Sequence, residues 1–412
     1  MTSQTDAQLI TAAADNHTSW FLARCCASGG NELVTRGIRW LCSPADATIP
    51  FPDANSIQAD TALEEIMETC NRVMPTQIAC WTATDTQSTV IGTKLMARGF
   101  EWGWQPRWMV LDLPSDFSEK PLGGVYVHLE GLEIQGNSKL PYFNDHEEKI
   151  LAKLVSQCPQ NTWRFVATEG TRVVGHAVAH VATSSPQVVG IYSVGVDEEY
   201  RARGIGRALT LACAEQGTKL GCQYAMLNAA NPFYEKFGFR TLGYGQTWWM
   251  HAEERGYVCD RRAVKFAEAV ATGDLVAVAE FAGDVELFTQ PLRCGLNAVG
   301  LAAQFSQKQC GEWLVNNGAN YDILALWDLE LVERIREMLH VNPGCVNQKV
   351  GRSGATPLHL AVMRNQTELA RLLLAANPDL TITDDEAHST PLGWATYFQR
   401  HDIAELIEKQ KP

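Results

Sequence analysis

The chain has 412 residues, of which 46% are hydrophobic and 20% charged, with a net charge of −13 and twelve cysteines. This length predicts two to four globular domains, and the composition excludes a largely disordered chain. The acidic charge argues against a nucleic-acid partner, and the irregular cysteine spacing argues against a metal site. Neither an apolar run of about 18 residues nor the basic start of a secretory signal is present, so we expect a cytoplasmic protein without a membrane partner.

The first region, residues 1–118, is rich in tryptophan and cysteine. Its patterns predict a strand at 77–81, a helix at 90–100 that ends in Gly-Phe, and a closing strand at 104–113. The turn-rich stretch 113–124 follows and predicts a linker.

The second region, residues 119–256, alternates strand-like and helix-like segments. Its hairpin turns at Glu169-Gly170, between two runs rich in β-branched residues. The predicted elements are, in order, a hairpin at 162–183, a strand at 187–196, an amphipathic helix at 201–221, a buried strand at 222–230, a short helix at 231–239 and a last strand at 241–252.

The stretch from Val194 to Leu209 predicts a phosphate site. A strand ends, a basic glycine-bearing loop follows, and a helix begins directly after it. The N–H groups of a helix start lack partners, and the helix dipole favours an anion there. Two glycines allow a pyrophosphate to approach closely, and three arginines add positive charge. These residues are Gly204, Gly206, Arg201, Arg203 and Arg207.

Arg201-x-x-Gly204-x-Gly206 after a strand resembles the acyl-CoA motif of the GNAT acetyltransferase superfamily. One strand later, residues 231–239 resemble that family's N…Y-x-x-x-G-F segment. The resemblance implies a mixed α+β and α/β fold, in which acetyl-CoA binds between two splayed parallel strands, here 188–196 and 222–230. The residues that would contact acetyl-CoA are Val194, Val196, Arg201, Arg203, Gly204, Ile205, Gly206, Arg207, Ala208 and Asn231.

The same resemblance implies a mechanism. A bulge near Gly195 would free the backbone of Val194 and Val196 to bind the pantetheine arm. A neutral amine would attack the thioester, and Tyr234 matches the family tyrosine that protonates the departing thiolate. Asn231 either contacts the pantetheine arm or caps a helix.

The general base is not evident, because the strand before the phosphate site has no carboxylate. His176 and His180 share one face of the preceding strand and titrate in a suitable range. They are either bases or buried structural residues, and an amine that arrives neutral would need neither.

The first region resembles a degenerate second GNAT lobe, because residues 94–100 repeat the spacing of 233–239 while the R-x-x-G-x-G motif is missing. The alternative is an unrelated α/β subdomain. Its tryptophans either line a substrate pocket or belong to the core. They are Trp81, Trp102, Trp104 and Trp108.

The third region, residues 257–412, repeats. Thr356-Pro-Leu-His-Leu-Ala361 recurs 34 residues later as Thr390-Pro-Leu-Gly-Trp-Ala395. Weaker copies begin at Asp322 and Asn297, and a faint one lies near 262–267. The pattern resembles the ankyrin repeat and implies an all-α solenoid of about four to five repeats, in which His359 bonds to backbone.

The resemblances favour an enzyme that moves an acetyl group from acetyl-CoA to a primary amine of a small molecule, such as a toxic or antibiotic amine. A second hypothesis is a protein acetyltransferase that recruits its substrate through the ankyrin repeats. A third is an ankyrin interaction protein without catalysis. The sequence does not identify the acceptor, the acyl-chain preference or the oligomeric state.

Overall fold

The computed structural model describes residues 4–53, 60–115, 117, 122–131, 133–137, 139–230, 232–252, 256–257, 259–350 and 353–410. The chain divides into two compact units, residues 1–259 and 260–412. Each is described by itself below. None of the described helices combines the length and the apolar character that crossing a membrane requires.

The first unit contains two sheets among its described residues. One has six strands in the order β1-β2-β3-β4-β13-β5. Its strands are β1 (Asn31–Thr35), β2 (Ile38–Cys42), β3 (Asp46–Pro50), β4 (Gln77–Thr82), β5 (Glu101–Trp102) and β13 (Gln246–His251). Helices α2 (Asp60–Val73) and α3 (Asp85–Ala97) belong to the same stretch of chain.

The other sheet has seven strands in the order β12-β6-β11-β10-β9-β8-β7. Its strands are β6 (Arg107–Asp112), β7 (Val125–Leu129), β8 (Thr162–Glu169), β9 (Arg172–Val181), β10 (Val188–Val196), β11 (Tyr224–Ala229) and β12 (Arg240–Tyr244). Helix α5 (Ile205–Lys219) packs on one face, in a core cluster that includes Leu209 and Val174. Helix α4 (Asp145–Gln157) packs on the other, in a core cluster that includes Leu151 and Val178.

The two sheets exchange their closing strands. β6 pairs with β11 and β12 in the second sheet, whereas β13 pairs with β4 and β5 in the first. The predicted closing strand at 104–113 therefore completes the other sheet, and the predicted last strand at 241–252 is in fact two strands. Gly245 allows the crossing, because a Cβ there would lie 2.3 Å from Thr82 O. Each sheet thus takes a strand from across the boundary predicted at 118/119.

Helix α1 (Asp6–Ala27) packs against strands of both sheets. Thr5 and Gln8 form a capping box at its N-terminus. Its buried residues include the polar Asn16 and His17. Because the helix is covered on several sides, it has no single apolar stripe of the kind that sequence periodicity detects.

The second unit consists of short helices, many of them capped by Asp, Asn or Thr. They are α6 (Arg261–Thr272), α7 (Leu275–Ala279), α8 (Val285–Thr289), α9 (Ala298–Gln304), α10 (Lys308–Asn316), α11 (Ile323–Asp328), α12 (Val332–Val341), α13 (Pro357–Met363), α14 (Thr367–Ala375), α15 (Pro391–Tyr397) and α16 (His401–Glu408).

The predicted repeat register agrees with these helices. Asn297, Asp322, Thr356 and Thr390 are N-caps of the first helices of successive pairs. His359 accepts a bond from Thr356 N–H at 3.2 Å, and its Nε2 lies 2.9 Å from Ser389 O. The expected backbone bonding of His359 is therefore confirmed, and it extends to the next repeat.

Candidate functional site

The site lies where two neighbouring parallel strands separate. β10 and β11 pair only from Val188 to Gly190 and from Tyr224 to Met226. Beyond these residues the strands diverge, and a cavity of about 590 Å³ opens between them. Its described lining consists of Trp104, Tyr142, Ile191, Tyr192, Ser193, Val194, Leu227, Asn228, Ala229, Ala230, Phe233 and Tyr234.

A β-bulge interrupts β10 at this opening. The register against β9 shifts between Tyr192 and Gly195, and Ser193 has a φ of 51°. The bulge predicted near Gly195 therefore lies at Ser193 and Val194. Val194 has no partner in the register with β9, which leaves its peptide groups beside the cavity.

Val196 also directs its peptide groups away from β9. Asp197 N–H donates to Val174 O at 2.9 Å, and bonded and non-bonded residue pairs alternate along an antiparallel ladder. The Val196–Gly175 pair is thus a non-bonded pair, so its N–H and C=O face the space that β11 has left. The contact of Val194 and Val196 with acetyl-CoA stays a prediction.

The glycine-bearing loop ends directly at the start of α5. Gly204 is the N-cap, with a φ of 85° that favours glycine, and Ala202 has a φ of 62°. A Cβ on Gly206 would meet only Val196 Cγ2, at 3.7 Å. The loop therefore presents open space beside the positive end of a helix of 15 residues.

The predicted arginines border this space in different ways. Arg201 has a side chain that is 58% exposed, and its Nε donates to Val196 O at 3.4 Å. Arg203 donates to Glu199 O at 2.9 Å and stacks on Tyr200, 4.6 Å from the ring centre. Arg207 lies in the first turn of α5.

Two other predicted contact residues, Ile205 and Ala208, each have one group already engaged within the fold. Ile205 is 1% exposed, because its side chain belongs to the core below the helix. Ala208 N–H already donates to Gly204 O at 3.1 Å, as the first bonds within a helix do. Asn231 lies outside the described residues, whereas its neighbour Ala230 lines the cavity.

A small network of ion pairs and hydrogen bonds around the buried Asp197 holds the chain just before the loop. Asp197 is fully buried, accepts from Glu199 N–H at 3.2 Å and from Arg172 at 2.7 Å. The Tyr200 hydroxyl donates to Glu169 at 2.5 Å. These bonds fix the chain before Arg201, where the loop begins.

Tyr234 lies in the 3₁₀ turn Pro232–Phe237, where the sequence predicts a short helix. Its ring packs near Phe237 and Phe239 and lines the cavity. Burial raises the pKa of Tyr234 to about 12, with smaller contributions from Tyr142 and Cys213. The hydroxyl therefore carries its proton at neutral pH.

His176 and His180 do not line the cavity. His176 Nε2 lies 2.8 Å from Pro141 O, and His180 bonds Ser19 and Thr162 at 2.9 Å. Burial lowers the pKa of each to about 4. Both are structural residues, and they are poor acceptors for the proton of an ammonium group.

Of the four predicted tryptophans, Trp104 lines the cavity, whereas Trp81 and Trp108 are buried in the core. Trp102 is 38% exposed and meets the edge of Trp248. Sequence reasoning missed several other residues that line the cavity. They include Tyr142, Tyr192, Ser193 and Asn228.

Asn228 is held from below by helix α1. Its Nδ2 donates to His17 Nδ1 at 3.1 Å. His17 is 5% exposed, and burial, with a smaller effect of His180, lowers its pKa to about 3. The imidazole is therefore neutral and acts as an acceptor for the carboxamide.

Comparison with known proteins agrees with this geometry. Residues 132–239 match the Acetyltransferase (GNAT) family. The chain contains a GNAT acetyltransferase domain. Residues 323–411 match Ankyrin repeats (3 copies), so ankyrin repeats follow the GNAT domain in the chain.

One relative of the GNAT domain is the Glucosamine 6-phosphate N-acetyltransferase of Trypanosoma brucei brucei. The two are 34% identical over 96 residues, which are 20% of this chain and 56% of that protein. The chain thus spans little more than half the length of the curated relative it matches.

Solved structures with similarity to the GNAT region include a GCN5-related N-acetyltransferase from Kribbella flavida. It is 14% identical with a TM-score of 0.42, covering 57% of this chain and 95% of that one. A tandem GNAT protein from the clavulanic acid biosynthesis pathway is 14% identical with a TM-score of 0.40, covering 52% and 78%.

Proposed function

We propose that this chain is an N-acetyltransferase that moves an acetyl group from acetyl-CoA to the primary amine of a small molecule. The observation that carries the proposal is the cavity between the diverging strands β10 and β11. Tyr234 lines this cavity and carries its proton at neutral pH, and β10 leads on along the chain to a helix start with open space at Gly206. We assign the first lobe to residues 1–118, the catalytic domain to 119–256 and the ankyrin-repeat domain to 257–412, with the strands β6 and β13 exchanged between the first two.

The residues present fit acetyl-CoA. The N–H groups at the start of α5 and the exposed Arg201 suit a pyrophosphate, since both favour negative charge. The outward peptide groups of Val194 and Val196 suit the amide-bearing pantetheine arm, because an arm beside a strand edge can replace the missing strand. Bound there, acetyl-CoA supplies the acetyl group as a thioester.

In the proposed reaction, the amine nitrogen forms a bond to the thioester carbonyl carbon and the carbon–sulfur bond breaks. Tyr234 donates its proton to the sulfur, and the proton that leaves the nitrogen restores the Tyr234 hydroxyl. The described cavity lining contains neither a carboxylate nor a histidine. The acceptor therefore enters as the neutral amine, and its ammonium form loses one proton to solvent before it binds.

The first test is acetyl-CoA binding by calorimetry, followed by thiol release with a panel of amines. Binding with turnover supports the proposal, and the mass of the product must increase by one acetyl group. The variant Gly204→Asp/Arg201→Ala should bind acetyl-CoA weakly, with an unchanged melting temperature. Full activity of that variant would contradict the assignment of the loop.

A protein acceptor is the second candidate. The ankyrin repeats favour it, since such stacks present extended binding surfaces. Binding of acetyl-CoA without turnover of any small amine, together with acetylation of a lysine in a protein retained by residues 260–412 of the full chain, would favour this candidate.

A further inference from the structure

The lining of the cavity between β10 and β11 carries no formal charge among the described residues. It consists of five aromatic residues, five aliphatic residues and two small polar residues. The aromatic members are Trp104, Tyr142, Tyr192, Phe233 and Tyr234, and the polar ones are Ser193 and Asn228.

The end of the cavity far from the phosphate loop is the space for the acceptor. The loop begins beyond Val196, so a pantetheine arm that starts there runs back along β10 towards the bulge at Ser193. The space that remains is bordered by Tyr192 on β10, Asn228 on β11 and Trp104.

Tyr192 offers this space an aromatic ring and no free hydroxyl. Its hydroxyl donates to Asn16 Oδ1 at 2.7 Å, and Asn16 Nδ2 donates to the backbone oxygens of His180 and Val188. The ring stacks on Trp20 with centroids 4.7 Å apart. Tyr192 is therefore a fixed apolar wall.

Asn228 offers one oriented acceptor. Because its Nδ2 donates to His17 Nδ1, the carboxamide oxygen points away from α1. Asn228 also lines the cavity. A neutral primary amine needs such an acceptor for one N–H while its lone pair faces the thioester carbon.

Resting on the proposed function, we infer that the acceptor is a small primary amine with an aromatic or aliphatic skeleton and no phosphate, carboxylate or second amino group. Its skeleton packs against Trp104 and Tyr192, and its amino group donates to Asn228 Oδ1. A sugar phosphate would need a cationic partner, and a polyamine would need a carboxylate, because a buried charge without a partner is costly.

The test compares acceptors of matched shape. We expect kcat/KM for 2-phenylethylamine to exceed that for phenylalanine, which adds a carboxylate to the same skeleton, by about 100-fold or more. Glucosamine 6-phosphate and spermidine should be similarly poor. A kcat/KM for either of these that equals or exceeds that for 2-phenylethylamine would overturn the inference while leaving acetyl transfer intact.

Two tryptophans of nearly equal exposure allow an effect on the pocket to be distinguished from an effect on folding. Trp104 is 36% exposed and lines the cavity, whereas Trp102 is 38% exposed and does not. Trp104→Ala should raise KM for 2-phenylethylamine about tenfold without changing the Kd of acetyl-CoA. Trp102→Ala should change neither. An equal effect of both variants would overturn the inference.

The outcome for acetyl-CoA distinguishes this inference from the function on which it rests. If acetyl-CoA binds and the apolar amines are not acetylated, the acceptor class is wrong and the phosphate loop stands. If acetyl-CoA does not bind at all, both proposals fall together.

Discussion

Replacing Gly204 by Asp or by Asn tests the phosphate loop with the backbone held constant. Gly204 has a φ of 85° and is exposed, and Asn and Asp are the side chains that best tolerate such a conformation. Both add a Cβ that would lie 3.6 Å from Leu122 Cδ2, an ordinary contact. The two variants therefore differ in charge and in little else.

The expected magnitude follows from Coulomb's law. Two unit charges about 5 Å apart repel by roughly 0.8 kcal/mol in bulk water and by about 3 kcal/mol at an effective dielectric constant of about 20. Since the loop is exposed, we expect a difference of about 1–2 kcal/mol. Acetyl-CoA should therefore bind Gly204→Asp about 5- to 30-fold more weakly than Gly204→Asn.

Calorimetry at two salt concentrations provides the assay. The ratio of the two Kd values should shrink as ionic strength rises towards about 1 M, because salt screens charges at an exposed site. Melting temperatures control for folding and should agree between the variants. A ratio within about twofold of unity at low salt would refute the placement of a phosphate at this helix start.

Three further predictions concern protons. Tyr234→Phe should lower kcat about 100-fold while leaving the Kd of acetyl-CoA unchanged, as measured by steady-state kinetics and calorimetry. An unchanged kcat would contradict the role of Tyr234 as the proton donor. For the wild type, kcat/KM should rise with pH until the free amine's pKa is reached. It should show no falling limb below about pH 11, since the Tyr234 pKa is about 12. The folded-state pKa values of His17, His176 and His180 lie near 3, 4 and 4, below the ordinary value of 6.5. The unfolded chain then binds more protons below pH 6.5. The contribution of these histidines to the free energy of unfolding should therefore be fully present above pH 6.5 and decrease towards pH 4, by about 1.4 kcal/mol per pH unit for each histidine. Melting curves at pH 7 and 5 check this, and equal midpoints would contradict it.

Local chemistry explains which parts of the site the sequence could predict. The glycines at 204 and 206 and the helix start beside them depend on neighbours within a few residues, whereas the bulge near Gly195 was expected from the family resemblance. The ankyrin repeats were predictable for the same reason, since each repeat bears its own cap, such as Thr356 or Thr390.

The remaining features depend on residues that are far apart in the chain. His17 meets Asn228 across more than half of the chain, and nothing near either residue signals the other. Similarly, the apolar patterns of β6 and β13 fit either sheet, because alternation specifies a buried face and not a partner strand. Gly245 was the available signal that 241–252 contains two strands.

The exchange of β6 and β13 has a consequence for biosynthesis. In the first sheet, β13 lies between β4 and β5, so residues 77–82, which pair with β3 on one side, find their neighbour on the other side only at 246–251. A ribosome that has released the first hundred residues has released four strands whose edge at β4 is open. Such edges are prone to pair with other chains. The edge of β4 is covered only after β13 has emerged, which is close to the end of the first unit.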